Sequence, residues 1–421
     1  MRILYICDKL ITFILNEIIE LKKNNDIFIL SEHNELFFNV INRPILIENG
    51  LEKNYYRFCS YKNKNRRQRY LYFANKLIYD LFVHPRYTIK CIIHILKNYS
   101  NPKYGFLDYL DIRNFFALDI DIIHSPFSTP RVIDKVYLLS TILDLPFTLC
   151  FRAHDIYEGN NFSEAQKRID AISAASQIIT IANYNKKHIK NTIDIDKGVE
   201  VIHSAINLDL FRPYDTKKSS KSIIAVSRLH EQKGLVHLIN ACHILNNRKI
   251  DFECTIIGEG PEKKVYDKLI EELQIPNIRF IDYMSYDEIR NHLGHSTVFV
   301  LPCVIASDGK RDILANALKE AMAMQVPVIT SKINGIEELV DDGVNGILVS
   351  PGDPELIADA IENIFNNPVL GNYMGQEGRK KVEKEFNIKI EIRKLENVFK
   401  KVSGRVSARE RLEISENFNV R

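Results

Sequence analysis

The sequence predicts an α/β protein with two doubly wound domains that face a crevice. Its 421 residues are enough for two or three domains of ordinary size. Hydrophobic and charged residues make up 45% and 26% of the chain, the balance of a soluble protein with packed cores. Strand and helix patterns alternate along two separate stretches, and such alternation builds parallel sheets covered by helices on both faces.

The first stretch predicts a domain at residues 1–205. A buried strand at 3–7 is followed by apolar residues at helical spacing. Further strand patterns follow, namely DIFILS, DIDIIHS, LPFTLCFRAH and QIITIA. Pro213 and the polar residues up to about 222 predict a linker, because proline and polar clusters interrupt regular structure.

The second stretch predicts a domain at residues 206–385. Its strand patterns are SIIAVS, FECTIIG, IRFI, TVFVLP, PVITS and GILV. One intervening helix is predicted to begin at Asp353, as N-cap, and Pro354, as first helical residue. An amphipathic helix follows at 386–403. Residues 404–421 are polar without a periodic apolar face, which predicts a flexible tail.

Charge and cysteine content exclude several classes of protein. A net charge of +3 provides no global field for nucleic acid. The seven cysteines have no spacing that suits zinc, which predicts reduced thiols. The apolar run before Asp8 is too short for a signal peptide, and Asp144 interrupts the longest apolar stretch before it reaches the length of a membrane span. We therefore expect a cytoplasmic protein.

Two basic residues follow the first strand of the second domain. Arg228 and Lys233 leave the end of SIIAVS and flank the start of a helix. Ligands of doubly wound sheets bind at the carboxyl ends of the strands, and a helix N-terminus favours anions. The pair is a candidate clamp for a diphosphate. The alternative is two solvated cations on a loop.

Two acids and a helix start form a second candidate group. Glu320 falls eight residues after Asp312, about two turns into a predicted helix, so both carboxylates can face one cleft. A carboxylate accepts hydrogen bonds from both hydroxyls of a ribose, and free amides near Asn316 and Ala317 can bind phosphate oxygens. Glu320 could equally be a surface or capping acid.

These motifs occur in order at ordinary spacing. They are SRLHEQKGL, IIGEGP, the block from Asp312 to Glu320, and NGIEELVDDGVNGILV. Together they resemble retaining glycosyltransferases of family 4. TFILNEIIEL, LPFTLCFRAHDIYEG and IITIANYNKKHI are similar to its exopolysaccharide and colanic-acid branch. The resemblance implies the GT-B fold, in which two Rossmann-like domains face a central cleft and a C-terminal helix packs back toward the N-terminal domain.

The resemblance also implies a reaction and its site. A hexosyltransferase of this kind moves a sugar from a UDP or GDP donor, with retention, to a lipid-linked or growing saccharide of bacterial surface polysaccharide. Arg228 and Lys233 would hold the diphosphate beside Asn316 and Ala317, and Glu320 would hold the ribose. The remaining residues implied are His154 at the reaction centre, Asp312 in place of the usual glutamate near the donor sugar, and Thr12 and Asn16 on the acceptor side of the cleft.

No metal and no cofactor are expected. Fixed cations and helix amides can stabilise the charge that develops on a leaving nucleoside diphosphate. Two Asp-x-Asp triplets, at 119–121 and 194–196, match a metal-binding pattern of another glycosyltransferase fold. The first lies where a loop enters a strand, so we interpret these triplets as unrelated to metal binding.

Two residues depart from the branch pattern. Ile313 stands where the branch has a glycine, and Ala315 where it has a proline. A β-branched isoleucine resists the positive φ that glycine permits. Two alternatives therefore stay open: a catalytically inactive GT-B subunit that binds saccharide or scaffolds a complex, and a GT-B sugar-nucleotide epimerase.

A basic, aromatic segment covers residues 53–103. It holds twelve Lys and Arg residues against one acid, Asp80, a net charge of +11. NRRQRYLYFANKLIYDLF within it predicts a helix with an apolar face. The composition favours peripheral contact with an anionic inner membrane surface, which suits a lipid-linked acceptor. A solvated helical insertion and an RNA-binding surface are the alternatives, although no RNA-binding motif is present.

Overall fold

The computed structural model describes residues 1–32, 43–58, 66–99, 101–157, 161–194, 197–213, 221–282 and 284–418. Within these ranges the chain forms two parallel β-sheets covered by helices. The predicted α/β class with two doubly wound domains is therefore confirmed.

The first sheet has seven parallel strands in the order β3-β2-β1-β4-β5-β6-β7. They are β1 (Arg2–Cys7), β2 (Asp26–Ser31), β3 (Tyr55–Arg57), β4 (Ile122–Ser125), β5 (Phe147–Phe151), β6 (Gln177–Thr180) and β7 (Val199–Val201). In the central strand β1, Ile3 and Tyr5 enter one core while Leu4 and Ile6 enter the other. Burial on both faces explains the continuous apolar runs of these strands.

Helices cover both faces of this sheet. They are α1 (Thr12–Lys22), α2 (Arg43–Glu48), α3 (Arg66–Val83), α4 (Pro85–Asn98), α5 (Pro102–Ile112), α6 (Pro130–Leu143), α7 (Ala153–Tyr157), α8 (Asn161–Gln166), α9 (Ile169–Ala174) and α10 (Asn183–Thr192). Helix α1 packs with Ile3 and Tyr5, whereas α4 and α5 pack with Leu4 and Ile6. The helix predicted within the basic segment is α3. Residues 59–65 and 100 of that segment lie outside the described ranges.

The second sheet has six parallel strands in the order β10-β9-β8-β11-β12-β13. They are β8 (Ser222–Val226), β9 (Glu253–Ile257), β10 (Ile278–Ile281), β11 (Val298–Leu301), β12 (Val328–Ser331) and β13 (Gly346–Val349). Its helices are α11 (Leu235–Asn247), α12 (Lys263–Leu273), α13 (Tyr286–His295), α14 (Asn316–Ala323), α15 (Pro354–Asn366) and α16 (Pro368–Glu385). Asp353 caps α15, and its side chain accepts a hydrogen bond from the Leu356 amide. The predicted start of this helix is confirmed.

The C-terminal helix α17 (Ile388–Phe418) returns to the first domain. Just before it, the Ile206 amide donates to the Phe386 carbonyl over 3.0 Å. Along it, the Glu396 carboxylate accepts from Asn25 at 2.7 Å, and the Phe399 ring packs 5.1 Å from the His124 ring. The predicted return of this helix toward the N-terminal domain is confirmed.

The backbone of α17 is helical to Phe418, where the polar composition of 404–421 predicted a flexible tail. Residues such as Arg, Glu, Leu and Ala have high helix propensity and continue a helix without an apolar stripe. Residues 419–421 lie outside the described part. None of the described helices is long and apolar enough to cross a bilayer.

Candidate active site

A close approach of two loops forms one wall of the crevice. Lys233 ends a short 3₁₀ turn after β8, and Gly234 follows it with a φ of 65°. A Cβ at Gly234 would lie 1.9 Å from the Pro302 carbonyl oxygen, so only glycine lets this turn rest against the loop after β11. The loops after two adjacent strands, β8 and β11, are thereby joined at the carboxyl edge of the sheet.

The structure brings Lys233 and Asp312 into direct contact. The Lys233 Nζ donates to Asp312 Oδ2 over 2.7 Å, and both side chains are largely buried. The Cys303 thiol lies 3.6 Å from the same oxygen, and the Asn334 side chain donates to the Asp312 carbonyl over 3.1 Å. Two groups thus contact the carboxylate, and a third fixes the main chain of the same residue.

Helix α14 begins without a side-chain cap. Its N-cap is Ala315, so the amides near Asn316 and Ala317 have no capping oxygen from this residue. Asn316 Oδ1 and Ser227 Oγ, from the loop after β8, are buried and have no hydrogen-bond partner among the described residues. Buried polar atoms are normally paired, so orphans beside a free helix N-terminus indicate a place for a polar ligand.

Glu320 lies one turn after Asn316 on α14. Burial raises the pKa of Glu320 to about 7, although the positive charge of Lys319 lowers it in part. Lys319 is fully buried, and its ammonium donates to the Ser204 carbonyl and lies 5.8 Å from the centre of the Phe386 ring. Burial lowers the pKa of Lys319 to about 7. Sequence reasoning missed Lys319, because its partners lie 67 or more positions away.

The two departures from the branch pattern are accommodated. Ile313 is buried at 2% exposure and is not among the described residues with positive φ. Its Cγ2 occupies the space where a Cβ at Gly335 would approach to 2.8 Å. Ala315 has a φ of −59°, which is the value that proline imposes. Ile313 is therefore packed against Gly335, and Ala315 has a φ that proline would also allow.

The first domain contributes the opposite wall. His154 lies at the start of α7, directly after β5. Burial lowers the pKa of His154, and Lys9, Lys310 and Arg228 lower it further, while Asp8 raises it. Cations of both domains therefore influence this imidazole, which is neutral at pH 7. Arg228 is exposed after β8, and its role at the donor diphosphate stays a prediction.

Two acids that sequence reasoning missed shape this wall. Asp155 is fully buried, and its carboxylate accepts from the Arg152 amide over 2.9 Å. Burial raises the pKa of Asp155 to about 7. Asp8 follows β1 and accepts from the Thr129 hydroxyl, while its Oδ1 is buried without a partner among the described residues. Asp8 is therefore a second candidate for contact with a polar ligand.

The first turns of α1 carry the predicted acceptor-side residues. Thr12 opens the helix and Asn16 follows one turn later, both half-buried and on one face. Behind them the Arg152 guanidinium binds Glu17 over 3.1 Å, and the Tyr5 hydroxyl donates to Glu17 over 3.0 Å. This buried pair lines an internal cavity between α1 and α17.

The Asp-x-Asp triplet at 119–121 stabilises the start of β1. Asp121 accepts from the Arg2 amide over 2.8 Å, and Asp119 lies 3.7 Å from the Arg2 guanidinium. In the other triplet, Asp196 lies outside the described residues. The described residues hold no group of three or more His, Cys, Asp or Glu side chains that could bind a metal.

Comparison with known proteins identifies the second domain. Residues 208–381 match the family described as glycosyl transferases group 1. The chain contains a group 1 glycosyltransferase domain. The chain is 27% identical over 293 residues to AmsK of Erwinia amylovora, which is named as an amylovoran biosynthesis glycosyltransferase. This match covers 68% of this chain and 71% of AmsK. It is 32% identical over 187 residues to WcaL of Escherichia coli strain K12, which is named as a colanic acid biosynthesis glycosyltransferase, covering 44% and 46% of the two chains.

Solved structures agree with the fold. Anabaena HepE, crystallised with UDP and glucose, aligns with a TM-score of 0.71 and 16% identity, covering 95% of this chain and all of HepE. At that identity the likeness concerns the fold alone. The GT-B fold predicted from sequence, and the resemblance to the exopolysaccharide and colanic-acid branch, are confirmed.

Proposed function

We propose that this glycosyltransferase transfers a sugar, with retention, from a UDP or GDP donor to a lipid-linked or growing saccharide of bacterial surface polysaccharide. The reaction would take place in the cytoplasm, at the inner face of the cell membrane. The main support is the arrangement of the cleft, in which Lys233 and Asp312 meet beside an uncapped helix, while Arg228 and Lys310 of the same domain lower the pKa of His154 in the other domain. The names of AmsK and WcaL support the polysaccharide context.

The donor diphosphate would bind at the second domain. Arg228 and Lys233 supply positive charge, and the N-terminus of α14 supplies amides near Asn316 and Ala317. Glu320 would accept hydrogen bonds from the ribose. The solved HepE complex contains UDP and glucose, which supports a nucleotide-sugar donor here. Fixed cations and amides would stabilise the leaving diphosphate without a metal.

Asp312 and His154 would position the donor sugar from opposite walls. In the transfer step the bond from the anomeric carbon to the diphosphate oxygen breaks, and a bond to the acceptor oxygen forms on the same face. The proton of the acceptor hydroxyl moves to the leaving phosphate oxygen. No protein group need act as general base, and a neutral His154 can donate a hydrogen bond to the sugar.

The decisive experiment measures donor binding and product. We expect one of UDP, GDP and ADP, with its sugars, to stabilise the protein selectively in calorimetry and thermal shift. Glu320→Ala should weaken that binding at least tenfold, while the exposed Glu272→Ala, on the same domain, should not change it. Transfer to a lipid-linked saccharide should then yield a product with the anomeric configuration of the donor.

Three results would contradict the proposal. Absence of binding by every donor would favour an inactive GT-B subunit that binds saccharide or scaffolds a complex. Turnover of the donor sugar to its epimer without acceptor would favour a sugar-nucleotide epimerase. Inversion at the anomeric carbon would exclude the retaining mechanism while leaving the donor site intact.

A further inference from the structure

Exposed apolar side chains are concentrated on one part of the molecule. Twenty large hydrophobic side chains are exposed within the described residues, and ten of them lie between positions 71 and 104. Most of these ten belong to the helical pair α3–α4. Single exposed apolar residues are normal on a soluble protein, but a cluster of this kind marks an interaction site.

The exposed residues of each helix follow its period. On α3, Leu71, Ile78 and Phe82 are separated by seven and four positions, so they lie on one face. On α4, Ile89, Ile93 and Leu96 are separated by four and three positions and also share a face. Only one residue, His84, separates the two helices. We call these six side chains the α3–α4 stripe.

The opposite faces of both helices are already packed. The Phe73 ring of α3 lies 4.8 Å from the Phe106 ring, and Cys91 and Ile95 of α4 are fully buried. Asp80 binds the Arg113 guanidinium through both oxygens, at 2.5 and 2.6 Å. The α3–α4 stripe is therefore the outer face of an anchored helical pair, not a core face left uncovered.

The same contacts explain the charge of this surface. Asp80, the single acid among residues 53–103, is 1% exposed and is neutralised by Arg113 from outside that segment. Arg86 and Lys90 of α4 contact Asp144, at 3.9 and 2.7 Å. Lys97 and Lys103 are exposed near the end of the stripe. These four basic residues outnumber the one acid that they contact, so the described surroundings of the stripe carry a net positive charge.

We propose that the α3–α4 stripe docks this glycosyltransferase on an anionic phospholipid monolayer. Phe82, Ile89 and Leu96 would enter the boundary between headgroups and acyl chains, while Lys97 and Lys103 contact the headgroups. This inference rests on the proposed function, because the proposed lipid-linked acceptor would lie in such a membrane. It extends that function by assigning the contact to one surface.

Charge complementarity favours lipid over other occupants. A second copy of the chain would place one basic surface against another, which repels. Single-stranded RNA binds through stacked aromatic side chains, whereas seven of the ten exposed hydrophobic side chains between positions 71 and 104 are aliphatic. An apolar stripe with a basic border is the pattern of helices that lie in an anionic interface.

Vesicle co-sedimentation of the full chain tests the docking surface. We expect at least tenfold tighter binding to phosphatidylglycerol–phosphatidylcholine vesicles than to phosphatidylcholine vesicles, and weaker binding as salt increases. Phe82→Asp should reduce binding to the anionic vesicles at least tenfold. Val369→Asp is the matched control, because Val369 is equally exposed, at 83%, on the second domain. Leu96→Asp provides an independent variant on α4.

Several outcomes would overturn the docking surface. Equal binding to both kinds of vesicle, or wild-type binding by Phe82→Asp and Leu96→Asp, would exclude docking through this surface. If the protein dimerises without vesicles and these variants abolish the dimer, the surface binds a second copy instead. Tighter binding to single-stranded RNA than to vesicles would favour RNA as the ligand. Donor binding is measured on the same samples. A folded Phe82→Asp that keeps wild-type donor affinity separates failure of the docking surface from failure of the donor site.

Discussion

The two walls of the cleft are stabilised in different ways. The second domain builds its wall from short loops, with glycine at Gly234 and the pair of Lys233 and Asp312 close to the surface of the cleft. The first domain supports its wall from behind, through the buried pair of Arg152 and Glu17. Changes in the second domain should therefore alter ligand binding and rate, whereas changes behind the first wall should alter stability.

The largest effect is expected behind the first wall. Arg152→Ala removes the partner of Glu17 and leaves a buried charge, which costs about 3–5 kcal/mol in the free energy of unfolding. Denaturant unfolding measures this loss. Arg152→Met combined with Glu17→Gln removes both charges and should recover much of it. The control, Arg212→Ala, breaks an exposed pair with Asp209 and should change stability by less than about 1 kcal/mol. Equal losses for Arg152→Ala and Arg212→Ala would show that the buried pair stabilises the fold no more than an exposed pair does.

Lys233→Ala tests the second wall through rate. Removing a cation that faces the developing diphosphate charge should lower kcat/KM by about 10²–10³. Lys268→Ala, an exposed residue of α12, is the control and should leave kcat/KM unchanged. Steady-state kinetics on the identified donor makes the comparison. A fall in unfolding free energy as large as that of Arg152→Ala would show that Lys233 stabilises the fold instead.

Gly335→Ala tests the accommodation of Ile313. The new methyl group would lie 2.8 Å from Ile313 Cγ2 and 3.4 Å from Tyr184 Cβ, so overpacking should cost about 1–3 kcal/mol. Combining it with Ile313→Ala should cost less than the sum of the two single changes, since the atoms in conflict are removed. Gly198→Ala, which has nothing within 4 Å, is the matched control. Additive losses would mean that the two positions do not share this space.

The smallest effect concerns pH. With a pKa raised to about 7 by burial, the carboxyl of Glu320 is neutral at pH 6 and ionised at pH 8. The ionised form accepts both ribose hydroxyls, so affinity for a nucleotide sugar should rise by up to about tenfold across this range. Burial also lowers the pKa of the neighbouring Lys319 to about 7, so Lys319 changes its charge over the same pH range. The variant Glu320→Gln is therefore needed as the control. Calorimetry that gives the same pH dependence for wild type and Glu320→Gln would exclude Glu320 as its source.

Prediction from sequence succeeded where the signal is local. Five of the seven strands of the first sheet, all six strands of the second and the capped start of α15 were predicted, because periodicity, caps and turn residues act within about ten residues. The strands β3 and β7 were not predicted, because three residues are too few for a periodic signal. The flexible tail predicted at 404–421 stays a prediction, although the backbone of α17 is helical to Phe418. The roles assigned to all of the candidate site residues also remain predictions.

The sequence by itself determined the alternation of strands and helices, the position of the loop after β8 and the basic composition of 53–103. Only the tertiary structure decided three contacts. Lys319 donates to the Ser204 carbonyl, Gly335 leaves room for the Ile313 side chain, and the Arg113 guanidinium neutralises Asp80. The residues in these contacts are 22 to 115 positions apart in the sequence. Local propensity does not encode such pairs, because they form only when long-range packing brings the two segments together.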